Sequence, residues 1–339
     1  MKTVLELFSL KEILDYLKTR EYKPMLGEEL FPEVKKQSLE FDMLVSGSRT
    51  PVIASVHGFD TEGEIGEREA QKMIGELALI KRKMQLTEKE VIALEHPRDK
   101  AEQKALMKNV YNDIDKLVNG IRARIELMRM ELTATGKITL NENNLTAVID
   151  YGVPDEHKVA NVAWDGASAD PIADILEWYN KMETKPSRAL TSNTVLMKIL
   201  RNPNVAAQLY GPNATRLPSA GELNTYLKSL GLPAISTYDE VYRKKKATGK
   251  GYAVCRYFPE NAFVMMPSTP LGETLYGPTA EETRLSRNAD VNMEMMGKII
   301  AFMYETDKDP VGTWEKAVAT ALPTLPYVDE LFQAQIKLA

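Results

Sequence analysis

The chain is poor in the residues that build disulfide scaffolds and metal centres. Its 339 residues include one cysteine, Cys255, and three histidines. A single cysteine excludes an intrachain disulfide, and neither a thiolate metal cluster nor a secreted disulfide-rich fold is expected. His57, His96 and His157 lie in unrelated contexts without paired spacing, so structural roles are expected for them and no metal site is predicted.

Long apolar runs and an excess of positive charge are also missing. Charged residues interrupt the N-terminal apolar run, which is therefore much shorter than the apolar region of a secretory signal peptide. No apolar stretch reaches the length of a membrane span. The net charge of −5 argues against a sequence-reading nucleic-acid binder, because phosphate neutralisation requires a concentrated excess of lysine and arginine. A protein of the reducing cytoplasm is therefore expected.

No catalytic or cofactor motif stands out. The nearest approach to a phosphate-binding loop, residues 248–251, lacks the glycine and the hydroxyl residue that such a loop requires. Acidic residues are so numerous that any two of them would form a nominal acid/base pair, which makes such a pair uninformative. We therefore predict that the chain is not an enzyme and expect no cofactor.

A long amphipathic helix is predicted between Pro97 and Gly136. Apolar residues recur there at spacings of three and four, which places them on one helical face. Asp99 with Glu102 resembles a capping box, and Gly136 suits the left-handed position past the end of a helix. The helix is predicted over residues 98–135, and about 36 helical residues would span roughly 54 Å.

The segment before this helix contains few of the large apolar clusters that form a closed core. Residues 1–34 contain one short helix and then a polar stretch in which Leu30 and Phe31, followed by Pro32, are the apolar anchors. We expect an extended N-terminal arm whose anchors bury against another subunit.

An extended hairpin loop is predicted next, over residues 35–86. A strand at 37–45 and a return strand at 77–84 flank a turn-rich, acidic stretch. Such a hairpin could extend up to about 65 Å, which is more than a monomer needs. The glycines expected to shape its outer part, and assigned to an assembly interface, are Gly58, Gly63 and Gly66.

The remaining chain predicts a compact α+β body with a second domain over residues 187–290. A hairpin over 137–151 follows the long helix, and strands are predicted at 299–304, 313–321 and 332–338. The last strand is expected to pair with the hairpin, which would make the second domain an insertion within the first.

One basic cluster resembles a nucleic-acid surface. Its residues are Arg243, Lys244, Lys245, Lys246 and Lys250, with tyrosines nearby. A solvated hairpin tip is the interpretation that composition favours.

The most informative motifs are Leu30-Phe31-Pro32, the glycine-punctuated stretch 51–66, Tyr257-Phe258-Pro259-Glu260-Asn261, the run 309–315, Leu322-Pro323 and Tyr327-Val328-Asp329-Glu330. In the order and spacing of these motifs, nearly the whole chain resembles the lambda-like major capsid protein E family of tailed phages. Given this resemblance, our hypothesis is that Lys244, Lys245 and Lys246 lie near the centre of a capsomer or face an acidic neighbour.

The resemblance implies the Hong Kong 97-type capsid fold, divided into four parts. These are an N-terminal arm (1–34), an extended loop (35–86), a peripheral domain with a spine helix (87–186 and 291–339) and an axial domain (187–290). Some capsids of this fold carry Lys-to-Asn isopeptide cross-links. Lys72, Lys81 and Lys83 lie in the predicted loop, but the sequence provides no partner geometry for such a link.

The implied function is self-assembly into the icosahedral head shell that encloses the phage genome. The implied partners are further copies in hexamers and pentamers, a scaffolding protein, a portal protein, a decoration protein and, by weak non-specific contact, the packaged double-stranded DNA. The implied location is the virion, after assembly in the host cytoplasm. The alternative is the shell protein of an encapsulin-like cellular nanocompartment, which shares the fold.

Overall fold

The protein has a mixed α+β fold. The computed structural model describes residues 3–46, 53, 70–142, 145–166, 168–246, 249–285, 297–306 and 312–338. The α-helices within these ranges are α1 (Val4–Leu7), α2 (Leu10–Thr19), α3 (Leu26–Leu30), α4 (Glu88–Glu95), α5 (Lys100–Thr135), α6 (Pro171–Lys181), α7 (Asn193–Arg201), α8 (Pro203–Tyr210), α9 (Ala220–Ser229) and α10 (Ala280–Leu285). Among these helices, none combines the length and the apolar character needed to cross a membrane.

The strands form two five-stranded sheets and three two-stranded hairpins within the described ranges. They are β1 (Glu33–Lys35), β2 (Glu40–Ser46), β3 (Ala70–Glu76), β4 (Ala78–Leu86), β5 (Lys137–Glu142), β6 (Leu145–Asp150), β7 (Lys158–Val162), β8 (Arg188–Thr191), β9 (Ala234–Thr237), β10 (Val241–Lys245), β11 (Tyr252–Arg256), β12 (Ala262–Met266), β13 (Thr274–Gly277), β14 (Ile300–Thr306), β15 (Gly312–Pro323) and β16 (Phe332–Ile336).

Helix α5 confirms the predicted long helix: it begins at Lys100, two residues after the predicted start, and ends at Thr135 as predicted. The Asp99 side chain accepts a hydrogen bond from the Glu102 N–H at 2.8 Å, which satisfies one of the free donors of the first turn. At the other end, Gly136 adopts φ 69° and donates its N–H to the Leu132 carbonyl. A side chain at this position would be strained by the left-handed backbone and would collide with Val153.

The first sheet packs against the apolar stripe of α5. Strand β15 lies at its centre, with β4 on one side and with β14 and β13 on the other. Ala317, Ala319 and Ala321 belong to the same buried core as the apolar residues of α5. On the opposite face of β15, Val318 packs with Leu14 of helix α2. The sheet is therefore held between the long helix and the N-terminal segment.

The prediction that residues 77–84 form the return strand of the extended hairpin was wrong. Strand β2 pairs with β3 over seven residue pairs, from Glu40–Glu76 to Ser46–Ala70. Residues 78–86, which contain all but the first residue of the predicted return strand, pair instead with β15. The sequence contains two adjacent segments, β3 and β4, either of which could pair with β2. A local pattern does not indicate which of the two lies beside β2 in space.

The predicted partner of the last strand was also wrong. Strand β16 lies between β12 and β7 in the second sheet, whose order is β7-β16-β12-β8-β9. Phe332 and Ala334 enter a core built around Trp164 and Trp178. Between them, Gln333 donates its side-chain N–H to the Thr133 carbonyl at the end of α5, at 2.9 Å. Both faces of the strand are therefore covered, and both of its edges are paired, one with β7 and the other with β12.

A buried carboxyl group lies where the first sheet meets α4 and α5. Glu315 of β15 is buried between Met84 and Met303 on the neighbouring strands. Neither of its carboxyl oxygens has a hydrogen-bond partner among the described residues. Burial, assisted by the negative charges of Asp113 and Glu90, raises the pKa of Glu315 to about 8. The group is therefore protonated at neutral pH.

Substitution Ile121→Asp should abolish folding of the subunit. Ile121 is fully buried in the stripe of α5, and an unpaired carboxylate there costs about 3 kcal/mol or more. Soluble yield and thermal unfolding followed by circular dichroism measure the effect. Ile92→Asp is the matched control, because Ile92 on α4 is 61% exposed. Equal yields of the two variants would contradict the assigned core.

Substitution Glu315→Gln should stabilise the subunit at alkaline pH. In the folded state Glu315 keeps its proton up to about pH 8, whereas in the unfolded chain it loses the proton near its ordinary pKa of ~4.3. Wild-type stability therefore falls as pH rises through this window, and the variant lacks that contribution. Melting temperatures at pH 5 and pH 8 should show a gain of a few degrees for Glu315→Gln at pH 8 relative to pH 5. Exposed Glu305→Gln on β14 should show no such difference.

Candidate assembly surfaces

The N-terminal segment is fastened to α5 by one carboxylate, Asp115. The hydroxyls of Tyr16 and Tyr22 donate to its two oxygens at 2.9 and 3.0 Å, and the Arg20 Nε donates at 3.0 Å. Burial and the adjacent carboxylate both raise the pKa of Tyr22, so its hydroxyl keeps its proton. Three side chains within a seven-residue stretch thus converge on one acceptor of the long helix.

A second attachment lies further along α5, eleven residues after Asp115, at Glu126. This carboxylate accepts hydrogen bonds from the Gly27 N–H at 3.0 Å and from the Tyr238 hydroxyl at 2.8 Å. Gly27 approaches so closely that a side chain there would collide with Glu126 and Arg129. Burial raises the pKa of Glu126, although its two hydrogen-bond donors and Arg129 oppose the shift. Helix α3, α5 and the residue after β9 are therefore joined at one point.

Arg129 extends this attachment to the first sheet. Its guanidinium is buried, donates through Nε to the Thr274 hydroxyl at 2.8 Å and contacts a Glu33 oxygen at 3.0 Å. Glu33 also accepts hydrogen bonds from Tyr276 and Lys298. Burial alone would raise the pKa of Glu33, but the hydrogen bonds from Lys298, Tyr276 and Arg129 hold it below its ordinary value.

Leu30 and Phe31 are enclosed by their own chain, with 1% and 0% of their surface exposed. The Leu30 carbonyl accepts a hydrogen bond from Leu271, and β1 pairs in parallel with β13. The expectation that these anchors need another subunit to be buried was wrong, because α5 and the first sheet already cover them. Pro32 is exposed. A role for the three residues at an assembly interface stays a prediction.

Only the base of the predicted extended loop lies within the described residues. There, β2 forms a hairpin with β3 rather than with the predicted return strand, and Phe41 packs over Gly75, where a Cβ would lie 2.7 Å from the ring. Gly58, Gly63 and Gly66 lie outside the described residues, so their assignment to an assembly interface stays a prediction. The side chain of Lys72 is likewise not described.

The basic cluster lies on the hairpin of β10 and β11, which packs against the long helix. Tyr242 on its inner side packs against Tyr257, with the two rings tilted and their centroids 5.1 Å apart. Both tyrosines pack into the core of α5. Lys244 contacts Glu142 at 3.1 Å, and Arg124 of α5 contacts the same carboxylate. Burial would raise the pKa of Glu142, but Lys244 and Arg124 hold it below its ordinary value.

The three predicted lysines therefore differ in their surroundings. The acidic neighbour of Lys244 is Glu142 of its own chain. Lys245 and Lys246 are exposed. The sequence offered no signal for the contact with Glu142, because the two residues lie on different hairpins 102 positions apart.

Substitution Asp115→Asn should loosen the N-terminal segment without unfolding the subunit. The loss of the charge that Tyr16, Tyr22 and Arg20 share is expected to cost roughly 1–3 kcal/mol. Hydrogen exchange measured by mass spectrometry should show faster exchange in peptides covering residues 10–22. Asp113→Asn is the control, since that carboxylate contacts Lys116 of its own helix. Unchanged protection in Asp115→Asn would show that the attachment lies elsewhere.

One solved structure supports the fold over the full chain, and two others are similar to it at lower scores. A putative capsid protein of a prophage from E. coli CFT073 is 14% identical, with 99% of each chain covered and a TM-score of 0.62. A phage-related protein from Bordetella bronchiseptica RB50 is 12% identical, with 95% and 94% covered and a TM-score of 0.49. The virus-like particle from Pyrococcus furiosus is 12% identical, with 97% and 100% covered and a TM-score of 0.44.

The family assignment comes from the sequence itself. No curated protein matches the chain. The sequence model of the family described as phage major capsid protein E matches residues 9–336. This range includes the N-terminal attachments, the long helix and both sheets. The chain belongs to the phage major capsid protein E family.

Proposed function

We propose that the protein is the major subunit of a phage head and that its copies assemble, as hexamers and pentamers, into the icosahedral shell around double-stranded DNA. The observation that carries the proposal is the family match over residues 9–336. The full-length similarity of the fold to a prophage capsid protein supports it. The physical basis is the closed symmetric assembly of many identical subunits.

The charge and contacts of the chain suit a container. A net charge of −5 limits binding of packaged DNA to the wall, so that DNA can enter and leave. Shell subunits also need individually modest contacts that break and re-form during assembly. Together, several simultaneous contacts then hold each subunit firmly. We assign such contacts to the exposed Pro32, to the extended hairpin with Gly58, Gly63 and Gly66, and to Lys245 and Lys246.

We further propose the four-part division into arm (1–34), extended loop (35–86), peripheral domain (87–186 and 291–339) and axial domain (187–290). In this division the arm stabilises its own subunit through Asp115 and Glu126, and neighbours contact its outer face. Leu30 and Phe31 then act indirectly, by fixing the position of that face.

The partners proposed for the assembled shell are a scaffolding protein, a portal protein and a decoration protein, with the genome in weak, non-specific contact. Assembly is proposed to take place in the host cytoplasm. The family membership supports each assignment, and the composition of purified particles tests it. Cargo enzyme inside the shells, in place of DNA, would favour the nanocompartment alternative.

Removal of residues 47–69 should prevent shell assembly while leaving the subunit folded. Ser46 and Ala70 are directly paired across the hairpin, so an Asn-Gly turn can join them without disturbing β2 and β3. The variant is expected to unfold within a few degrees of the wild type but to form no closed shells. Negative-stain microscopy with and without scaffolding protein, alongside thermal unfolding, measures both properties. Normal shells from this variant would contradict the role proposed for the extended loop.

A further inference from the structure

The hairpin over residues 241–257 is a concentrated basic element on an acidic chain. It contains six of the 43 basic residues and no acidic residue. The rest of the chain has 37 basic and 48 acidic residues, a net charge of −11. Such an asymmetry favours contact between the hairpin of one molecule and the body of another.

The outward face of this hairpin is apolar as well as basic. Cross-strand pairing places Arg243 opposite Val254 and Lys245 opposite Tyr252, on the same side as Val241. Val241, Val254 and Tyr252 are 50%, 65% and 59% exposed. A DNA backbone would pair with the cations but would leave the two valines in water. A protein surface that is both acidic and apolar fits this face better.

A groove with the complementary character lies at the base of the extended hairpin. It has a volume of about 980 Å³ and runs between the start of β2 and the segments 269–275 and 324–327. Glu40, Asp42 and Glu273 line it with exposed carboxylates, and Lys36 is a basic residue among its lining. Its apolar lining includes Met43, Leu275 and Tyr327.

We propose that the outward face of the 241–257 hairpin docks into this acidic groove of a second copy of the chain. Arg243 and Lys245 pair with the groove carboxylates, and Tyr252 and Val254 cover its apolar lining. Because the two surfaces consist of different residues, the contact is head-to-tail, and its repetition closes a ring when the rotation between successive copies divides a full turn. This inference rests on the proposed shell function and specifies one contact within a ring-shaped capsomer.

Charge exchange tests the contact. The double variant Arg243→Glu/Lys245→Glu should lower the yield of particles at least about tenfold, because like charges would face each other across the interface. Adding Glu40→Lys and Glu273→Lys should restore the yield by re-forming the pairs with reversed sign. Yield is measured by sedimentation and negative-stain microscopy. Lys104→Glu/Lys108→Glu, on an exposed face of α5, is the matched control for added negative charge.

Two results would overturn the proposal: an undiminished yield from Arg243→Glu/Lys245→Glu, or a lost yield that the groove substitutions do not restore. In the second case, weaker retention of the variant on immobilised double-stranded DNA would assign the hairpin to the genome instead. Wild-type protein that forms no particles under any condition would refute the proposed function itself. That outcome is distinct from failure of this contact alone.

A disulfide provides an independent measurement. With Cys255 replaced by serine, the pair Val254→Cys and Glu273→Cys should form intermolecular cross-links in assembled particles under mild oxidation. Non-reducing electrophoresis should show a ladder above the 38.1 kDa monomer. A monomer band alone, from intact particles of this variant, would contradict the proposed docking.

Discussion

The buried pair of Glu126 and Arg129 is the constraint on which much of the subunit depends. Both side chains lie on α5 and are almost completely buried, with Arg129 Nη1 3.7 Å from Glu126 Oε2. Such burial is favourable only when the surrounding groups supply hydrogen bonds. Gly27, Tyr238, Thr274 and Glu33 supply them from four separate parts of the chain. Loss of one partner would therefore leave an uncompensated charge in the core.

This arrangement explains why the N-terminal segment is part of the subunit rather than a free arm. Val4, Phe8, Ile13, Leu30 and Phe31 enter the same core as the stripe of α5, and Leu14 packs on the opposite face of β15. Asp115 and Glu126 fix its path along the helix at two points. A subunit completed in this way can present a defined outer surface before it meets any neighbour, which reduces the ordering that assembly requires.

A shell subunit must bind the packaged DNA only weakly and must also bind other copies of itself. Different parts of the chain have the charge that suits each requirement. The overall acidic character suits a container for DNA, whereas in the proposed docking the basic hairpin provides directed attraction between copies. Tyr242 and Tyr257 hold that hairpin against the core of α5. Its outward residues are therefore fixed in position, and a rigid presentation of this kind favours a specific contact over a non-specific one.

The sequence by itself determined the elements whose signals are local: α5 with Asp99 and Gly136 at its ends, and the β5–β6 hairpin. Periodicity and capping depend on residues within a few positions of each other. Only the tertiary structure decided that β3 rather than β4 pairs with β2, that β16 lies between β7 and β12, and that Leu30 and Phe31 are covered by their own chain. Those outcomes depend on pairing and burial between residues far apart in sequence, for which a local pattern contains no signal.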